Sequence, residues 1–150
     1  YELIYYHPGT INLLDPDRVG ALGKVIATWS STDTFARFIG GPAWKQGVIS
    51  DETIEEWIQS DNIWWRRAAL VSTINLYGDV ERMLNYAAVL VDEKEDMITK
   101  ALSWVLREAS VYDPEAVRYF LLTHEDRLAS RVKREVHNKL DTGLKYPQKN

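Results

Sequence analysis

Apolar residues recur at intervals of three and four along most of this chain, and nowhere do they alternate strictly with polar residues. The first spacing is typical of amphipathic helices, whereas strict alternation would mark half-buried strands. Proline and glycine divide the helical stretches into short segments. The pattern therefore predicts an all-α chain.

Capping signals set the bounds of the predicted helices. Asp-Pro pairs at positions 15 and 113 combine an N-cap with a proline at the first helical position. Glycines are expected to end helices at Gly40-Gly41-Pro42, at Gly78 and at Gly143. The helices pair as 15–28 with 29–40, 51–60 with 62–77, 79–91 with 95–110, and 113–123 with 130–141.

The first predicted helix places Val19, Leu22, Val25 and Ile26 on one face, which should be buried. Such helix pairs, joined by short links, favour a solenoid of HEAT-like helical repeats over a closed bundle.

Three tryptophan segments fall once per helix pair. Trp29 and Trp64 lie 35 positions apart, and Trp64 and Trp104 lie 40 apart. This period belongs to two-helix repeats, which stack into a curved array with one concave surface. Stacking should bring the three segments side by side. They are Trp29-Ser-Ser-Thr-Asp33, Trp64-Trp65-Arg66-Arg67 and Trp104-Val-Leu-Arg107.

Length and composition are typical of one folded domain, predicted over residues 1–144, followed by a disordered tail at 145–150. The absence of cysteine excludes disulfides and thiolate chemistry, and three scattered histidines do not indicate a metal site. No cofactor is expected. No apolar run approaches the roughly 20 residues that span a bilayer, so we expect a cytoplasmic protein without a membrane anchor. We also expect a monomer. The first residues resemble the last turns of a helix, which suggests a missing upstream segment.

The charge is unevenly distributed. The net charge is −4, but residues 1–126 carry a balance of −9 and residues 127–150 a balance of +5. A basic patch of this kind can steer a polyanion. A solvated helix face would have the same composition.

Asp33 and the double tryptophan are the first candidates for chemistry. Asp33 follows Trp29 by four positions, which puts both side chains on one side of a helix, although Asp33 could instead cap that helix. Adjacent helical residues cannot both point into one core. We therefore expect Trp64 or Trp65 to be largely exposed, and expect the same of Arg66 or Arg67.

The chain resembles the AlkD-type DNA alkylation repair glycosylases over nearly its whole length. The resemblance rests on several motifs at matching separations. They are Trp29-Ser-Ser-Thr-Asp-Thr-Phe-Ala36, Ser60-Asp-Asn-Ile-Trp-Trp-Arg-Arg-Ala-Ala69, Lys100-Ala-Leu-Ser-Trp-Val-Leu-Arg-Glu108 and Lys133-Arg-Glu135. Judged by this resemblance, we expect the N-terminal helices of the family to be missing, and Tyr5 and Tyr6 do not match its N-terminal aromatic residue.

The resemblance implies HEAT-like repeats that hold duplex DNA in a concave face and release N3- or N7-alkylated purines without base flipping. It implies that Asp33 is the catalytic carboxylate, that Trp29 and Trp104 flank the sugar of the damaged nucleotide, and that Arg67 contacts a phosphate. Weaker candidates for DNA contacts are Arg66, Lys100, Arg107, Arg131, Lys133 and Arg134.

The chemistry is consistent with a single carboxylate. An alkylated purine already carries positive charge and leaves without a general acid, unlike a sugar leaving group. We expect a monofunctional glycosylase, since no lysine is singled out as a nucleophile. A non-catalytic module that binds branched or damaged DNA is the main alternative, and a protein scaffold without nucleic acid is the third.

Overall fold

The computed structural model describes residues 1–7 and 9–147, and no strand occurs among them. The predicted all-α class is confirmed. The chain divides into two compact units, Tyr1–Tyr77 and Gly78–Asn150. Asp33 and Arg67 belong to the first unit, and Trp104 belongs to the second.

The first unit contains six α-helices among the described residues, with 3₁₀ turns at Ile11–Leu13 and Thr73–Leu76. Helices α3 and α5 both pack against α6, which is the layered packing expected of helical repeats. The α-helices are α1 Glu2–Tyr6, α2 Pro16–Gly23, α3 Trp29–Phe35, α4 Gly41–Lys45, α5 Asp51–Ile58 and α6 Ile63–Ser72.

Helix α2 ends at Gly23, five residues before the predicted end near Thr28. Thr28 is extended because it is the N-cap of α3, so the preceding helix has to end earlier. The intervening turn buries Ile26 but leaves Val25 71% exposed, which corrects the predicted face.

Gly40-Gly41-Pro42 does not end a helix. The chain continues from α3 through a π-helical turn, Ala36–Gly40, into α4. The two glycines serve close packing instead, because a Cβ on Gly40 or Gly41 would lie 3.0 Å from Ser72 Oγ or 2.6 Å from Asn75 Oδ1. Proline at the second position of α4 is tolerated there.

Both tryptophans at the start of α6 are partly buried, so the expectation that one of them is largely exposed is wrong. The Trp65 ring lies 4.8 Å from the ring of Trp57 and 5.8 Å from that of Phe35, between centroids. Adjacent helical positions differ by about 100°, which lets both indoles lie at the borders of one buried face.

The second unit contains four helices among its described residues. Helix α10 packs along α8, while α9 packs against α7 and α8. The predicted start at Asp113 and the predicted end at Gly143, which has a φ of 75°, are both confirmed. The helices are α7 Val80–Val89, α8 Asp96–Tyr112, α9 Pro114–Thr123 and α10 Ser130–Thr142.

The predicted disorder of residues 145–150 stays a prediction. Residues 148–150 lie outside the described residues, whereas Lys145 and Tyr146 both contact the Glu135 side chain.

Candidate functional site

Asp33 is held by a bidentate ion pair in the first unit. Arg67 Nε donates to Asp33 Oδ1 and Arg67 Nη2 donates to Asp33 Oδ2, each at 2.8 Å. The Asp33 side chain is 17% exposed and that of Arg67 is 6% exposed. The parallel bonds fix the plane of the carboxylate, and charged pairs of this geometry are among the strongest hydrogen-bonded contacts in proteins.

Local sequence explains why Asp33 is available for this pair. Thr28 accepts a hydrogen bond from the Ser31 backbone, and the Ser31 hydroxyl accepts one from the Thr28 backbone, which completes a capping box. The alternative that Asp33 caps the helix is therefore wrong. Its carboxylate, one turn further on, is directed to α6, where Arg67 lies in the second turn.

Trp29 leaves an aromatic surface beside this pair. It is the first residue of α3 and is 58% exposed. Its spacing of four from Asp33 places the indole on the same side of the helix as the carboxylate. An exposed indole and a partly buried carboxylate on one helix face are groups that a cationic ligand would contact.

Arg66 has a structural role in the first unit. Its Nη1 donates to the carbonyls of Ser60 at 2.7 Å and Asp61 at 3.0 Å, just before α6 begins. These bonds satisfy the backbone of the α5–α6 link. Arg66 is half-buried and Arg67 is buried, so the expectation that one of them is largely exposed is wrong.

Trp104 and Arg107 lie on α8 of the second unit. Trp104 is half-buried, and its Nε1 donates to Glu108 Oε1 at 3.1 Å. Arg107 Nε donates to Ser103 Oγ at 3.4 Å. The predicted contribution of Trp104 to the site of Asp33 stays a prediction.

A buried carboxylate in the second unit was not predicted from the sequence. Glu135 of α10 is 2% exposed and accepts hydrogen bonds from Ser103 Oγ at 2.6 Å and Tyr146 OH at 3.1 Å, with Lys145 Nζ at 3.3 Å. Burial is the largest effect and by itself raises its pKa, but the bonds from Ser103, Lys145 and Tyr146, together with the charge of Lys145, lower the pKa below its ordinary value. Its only signal in the sequence was its place in the Lys133-Arg134-Glu135 motif.

Glu135→Gln is expected to lower the free energy of unfolding at pH 7 by about 2 kcal/mol, since charge-assisted hydrogen bonds are lost. The pKa of Glu135 is lower in the folded protein than in the unfolded chain, where it is about 4.3. The carboxylate therefore stabilises the folded protein at pH values above the unfolded-state pKa. This stabilisation is lost as the pH falls through the folded-state pKa. Urea denaturation should therefore show the gap between wild type and variant narrowing from pH 7 to pH 3.5. A constant gap would contradict this assignment.

Most of the basic candidates in the second unit have partners. Lys100 and Arg131 share the Asp96 carboxylate, and Lys133 Nζ donates to the Glu125 carbonyl. Arg134 is exposed and makes no ion pair within the part of the chain that the structure describes. Lys100 lies on α8 and the other three lie on α10, where the charge of Arg131 is balanced by Asp96.

The described residues contain no group of three or more histidine, aspartate or glutamate side chains that could hold a metal ion. Among the same residues, the helices are too short or too polar to cross a bilayer.

Comparison with curated proteins gives no match. A family model described as DNA alkylation repair enzyme matches residues 14–140, which include α2 to α9, most of α10 and the Asp33–Arg67 pair. Since the match spans most of the chain, this protein belongs to the family of DNA alkylation repair enzymes.

Proposed function

We propose that this protein is a monofunctional DNA glycosylase, built of HEAT-like repeats, that excises N3- or N7-alkylated purines from duplex DNA. The observation that carries the proposal is the carboxylate of Asp33, fixed by Arg67 and accompanied by the exposed indole of Trp29. Membership of the repair family supports a substrate of alkylated DNA.

The reaction needs one anionic group near the sugar. When the bond between C1′ and the purine nitrogen breaks, its electron pair leaves with the cationic base, which becomes neutral. The deoxyribose becomes oxocarbenium-like, and a carboxylate about 4 Å away contributes on the order of 4 kcal/mol at an effective dielectric of about 20. A water oxygen then bonds to C1′ and loses its proton to the carboxylate of Asp33 or to solvent. The products are the free base and an abasic site.

Arg67 has two proposed roles. It orients the Asp33 carboxylate, and its guanidinium would contact a phosphate of the bound DNA. A phosphate that shares the guanidinium would weaken its hold on the carboxylate and strengthen the attraction of Asp33 for the sugar cation. DNA binding would then increase the effective charge of the catalytic group.

The aromatic residues complete the proposal. Trp29, with Trp104 as the second wall, would face the sugar and add about 0.5–2 kcal/mol of cation–π stabilisation each. Because this is smaller than the contribution of the carboxylate, Asp33 is the principal catalytic residue. We propose that the lesion is recognised in the stacked duplex, without base flipping.

The test is release of free base. The protein is incubated with duplex DNA that contains 7-methylguanine, and the freed base is separated by chromatography. We expect release that follows enzyme concentration and leaves alkali-sensitive abasic sites. Binding of the duplex without release would overturn the proposed activity.

One observation favours a second candidate, a non-catalytic module that binds branched or damaged DNA. In the DNA-free protein the Asp33 charge is balanced by Arg67, which reduces its field at a nearby sugar. Equal affinity for alkylated and branched duplexes, without base release, would support this alternative.

A further inference from the structure

The turn that follows α3 departs from regular helix geometry. Ala36–Gly40 is π-helical, and the N–H of Gly41 donates to the carbonyl of Ala36, five residues back. In an α-helix the same N–H would donate to the Arg37 carbonyl. The next donor in the π pattern would be the N–H of residue 42, which is proline and has none. The Arg37 carbonyl therefore depends on a partner from another segment.

Asn75 provides that partner. Its Nδ2 donates to the Arg37 carbonyl at 3.0 Å, and Asn75 is only 2% exposed. The absence of a side chain at Gly41 allows the approach, because a Cβ there would lie 2.6 Å from Asn75 Oδ1. If the amide were absent, the Gly41 N–H could donate to the Arg37 carbonyl instead, as in a regular α-helix, and the turn would revert to α geometry.

Such a reversion would move Asp33. A π turn holds one residue more than an α turn, so its loss rotates the helix before it by about 100° relative to the helix after it. Asp33 lies one turn before Arg37, and its partner Arg67 lies about two turns before Asn75. The Arg67–Asp33 bond and the Asn75–Arg37 bond thus connect the same two segments, about one to two helical turns apart.

We propose that Asn75 is a positioning residue, which fixes the carboxylate of Asp33 against Arg67 by holding the π turn. The inference rests on the proposed function for its effect on rate. It does not rest on that function for its effect on the Asp33–Arg67 bond, which can be measured without substrate.

Asn75→Ala removes the donor and tests the proposal. We expect the single-turnover rate of base release to fall at least about 10- to 100-fold, because a misplacement of only about 1 Å at a catalytic group can cost this much and the rotation would move Asp33 further. The dissociation constant for DNA should stay within about twofold. In ¹⁵N NMR, the Nε–H resonance of Arg67 should move from its wild-type position. A role in stability alone would leave both the rate and the resonance of the folded variant unchanged.

Ser72→Ala is the matched control. Ser72 is fully buried beside Gly40, and its Oγ makes no hydrogen bond in the part of the chain that the structure describes. Losing this hydroxyl therefore removes a buried polar atom without removing a bond. We expect a wild-type rate and a wild-type Arg67 resonance. Losses equal to those of Asn75→Ala would overturn the proposal, since packing alone would then explain both.

Gly41→Ala is the second variant, and it decides the question if Asn75→Ala does not fold. Its Cβ would displace the Asn75 amide from the Arg37 carbonyl, so the same changes are expected. A folded variant of either kind with unchanged rate and resonance would overturn the inference. If the wild type releases no base, the proposed function fails, but the role of Asn75 can still be judged from the Arg67 resonance. A resonance that differs between variant and wild type would support this role, and an identical resonance would reject it.

Discussion

Replacing Asp33 by asparagine is expected to lower the rate of base release about a thousandfold. Asparagine keeps the size of the side chain but removes the charge that would stabilise the sugar cation. The positive charge of Arg67 stays beside the developing cation, whereas the negative charge of Asp33 is gone. The neutral pair becomes a net positive site, so both effects raise the barrier.

The measurement is single-turnover release of 7-methylguanine at saturating protein, together with the dissociation constant for the same duplex. Asp17→Asn is the control, because it makes the same substitution at an exposed position in the first turn of α2. Duplex affinity should be unchanged or tighter in Asp33→Asn. A rate within tenfold of wild type would remove Asp33 from the catalytic role.

Replacing Arg67 by alanine is expected to lower the free energy of unfolding by about 3 kcal/mol. Removing one partner of a buried ion pair leaves the other charge uncompensated, which costs roughly 3–5 kcal/mol. The lower end applies here because the Asp33 side chain keeps 17% of its exposure. For a protein of this size the melting temperature should fall by about 6–12 °C.

Arg18→Ala is the matched control, since Arg18 and Asp15 form an ion pair with side chains that are 66% and 52% exposed. Exposed pairs contribute about 1 kcal/mol or less, so this variant should melt close to wild type. Similar losses in the two variants would contradict the assignment of Arg67 to a buried pair.

The salt dependence of DNA binding tests the phosphate contact separately. In Arg67→Ala, the slope of the logarithm of the binding constant against the logarithm of salt concentration should flatten by about 0.9 if one phosphate contact is lost. An unchanged slope would leave Arg67 with the orienting role alone.

The pairing of Arg67 with Asp33 could not be predicted from the sequence. Its position in the Trp64-Trp65-Arg66-Arg67 motif marked it as a candidate for DNA contact. The bidentate bond to Asp33 joins residues separated by 34 positions and depends on the packing of α3 against α6. Periodicity within one helix carries no information about such a pair.

The glycines at 40 and 41 show the same limit for the fold. Gly-Gly-Pro is a helix stop by local propensity, because glycine is flexible and proline lacks an N–H. In the structure this stop signal is overridden, because Ser72 and Asn75 lie so close to the two glycines that a residue with a side chain would not fit there. Long-range packing decided the backbone path at this point.

By itself the sequence determined the helical class, the caps at Asp113 and Gly143, and the family motifs around Trp29 and Asp33, since periodicity, caps and motifs are all local. Only the tertiary structure decided that Asp33 is paired with Arg67 and followed by a π turn whose Arg37 carbonyl accepts a hydrogen bond from Asn75. The reason is physical: a buried charge or carbonyl takes its partner from whichever side chain packing brings within about 3 Å, and that partner can lie far away in the chain.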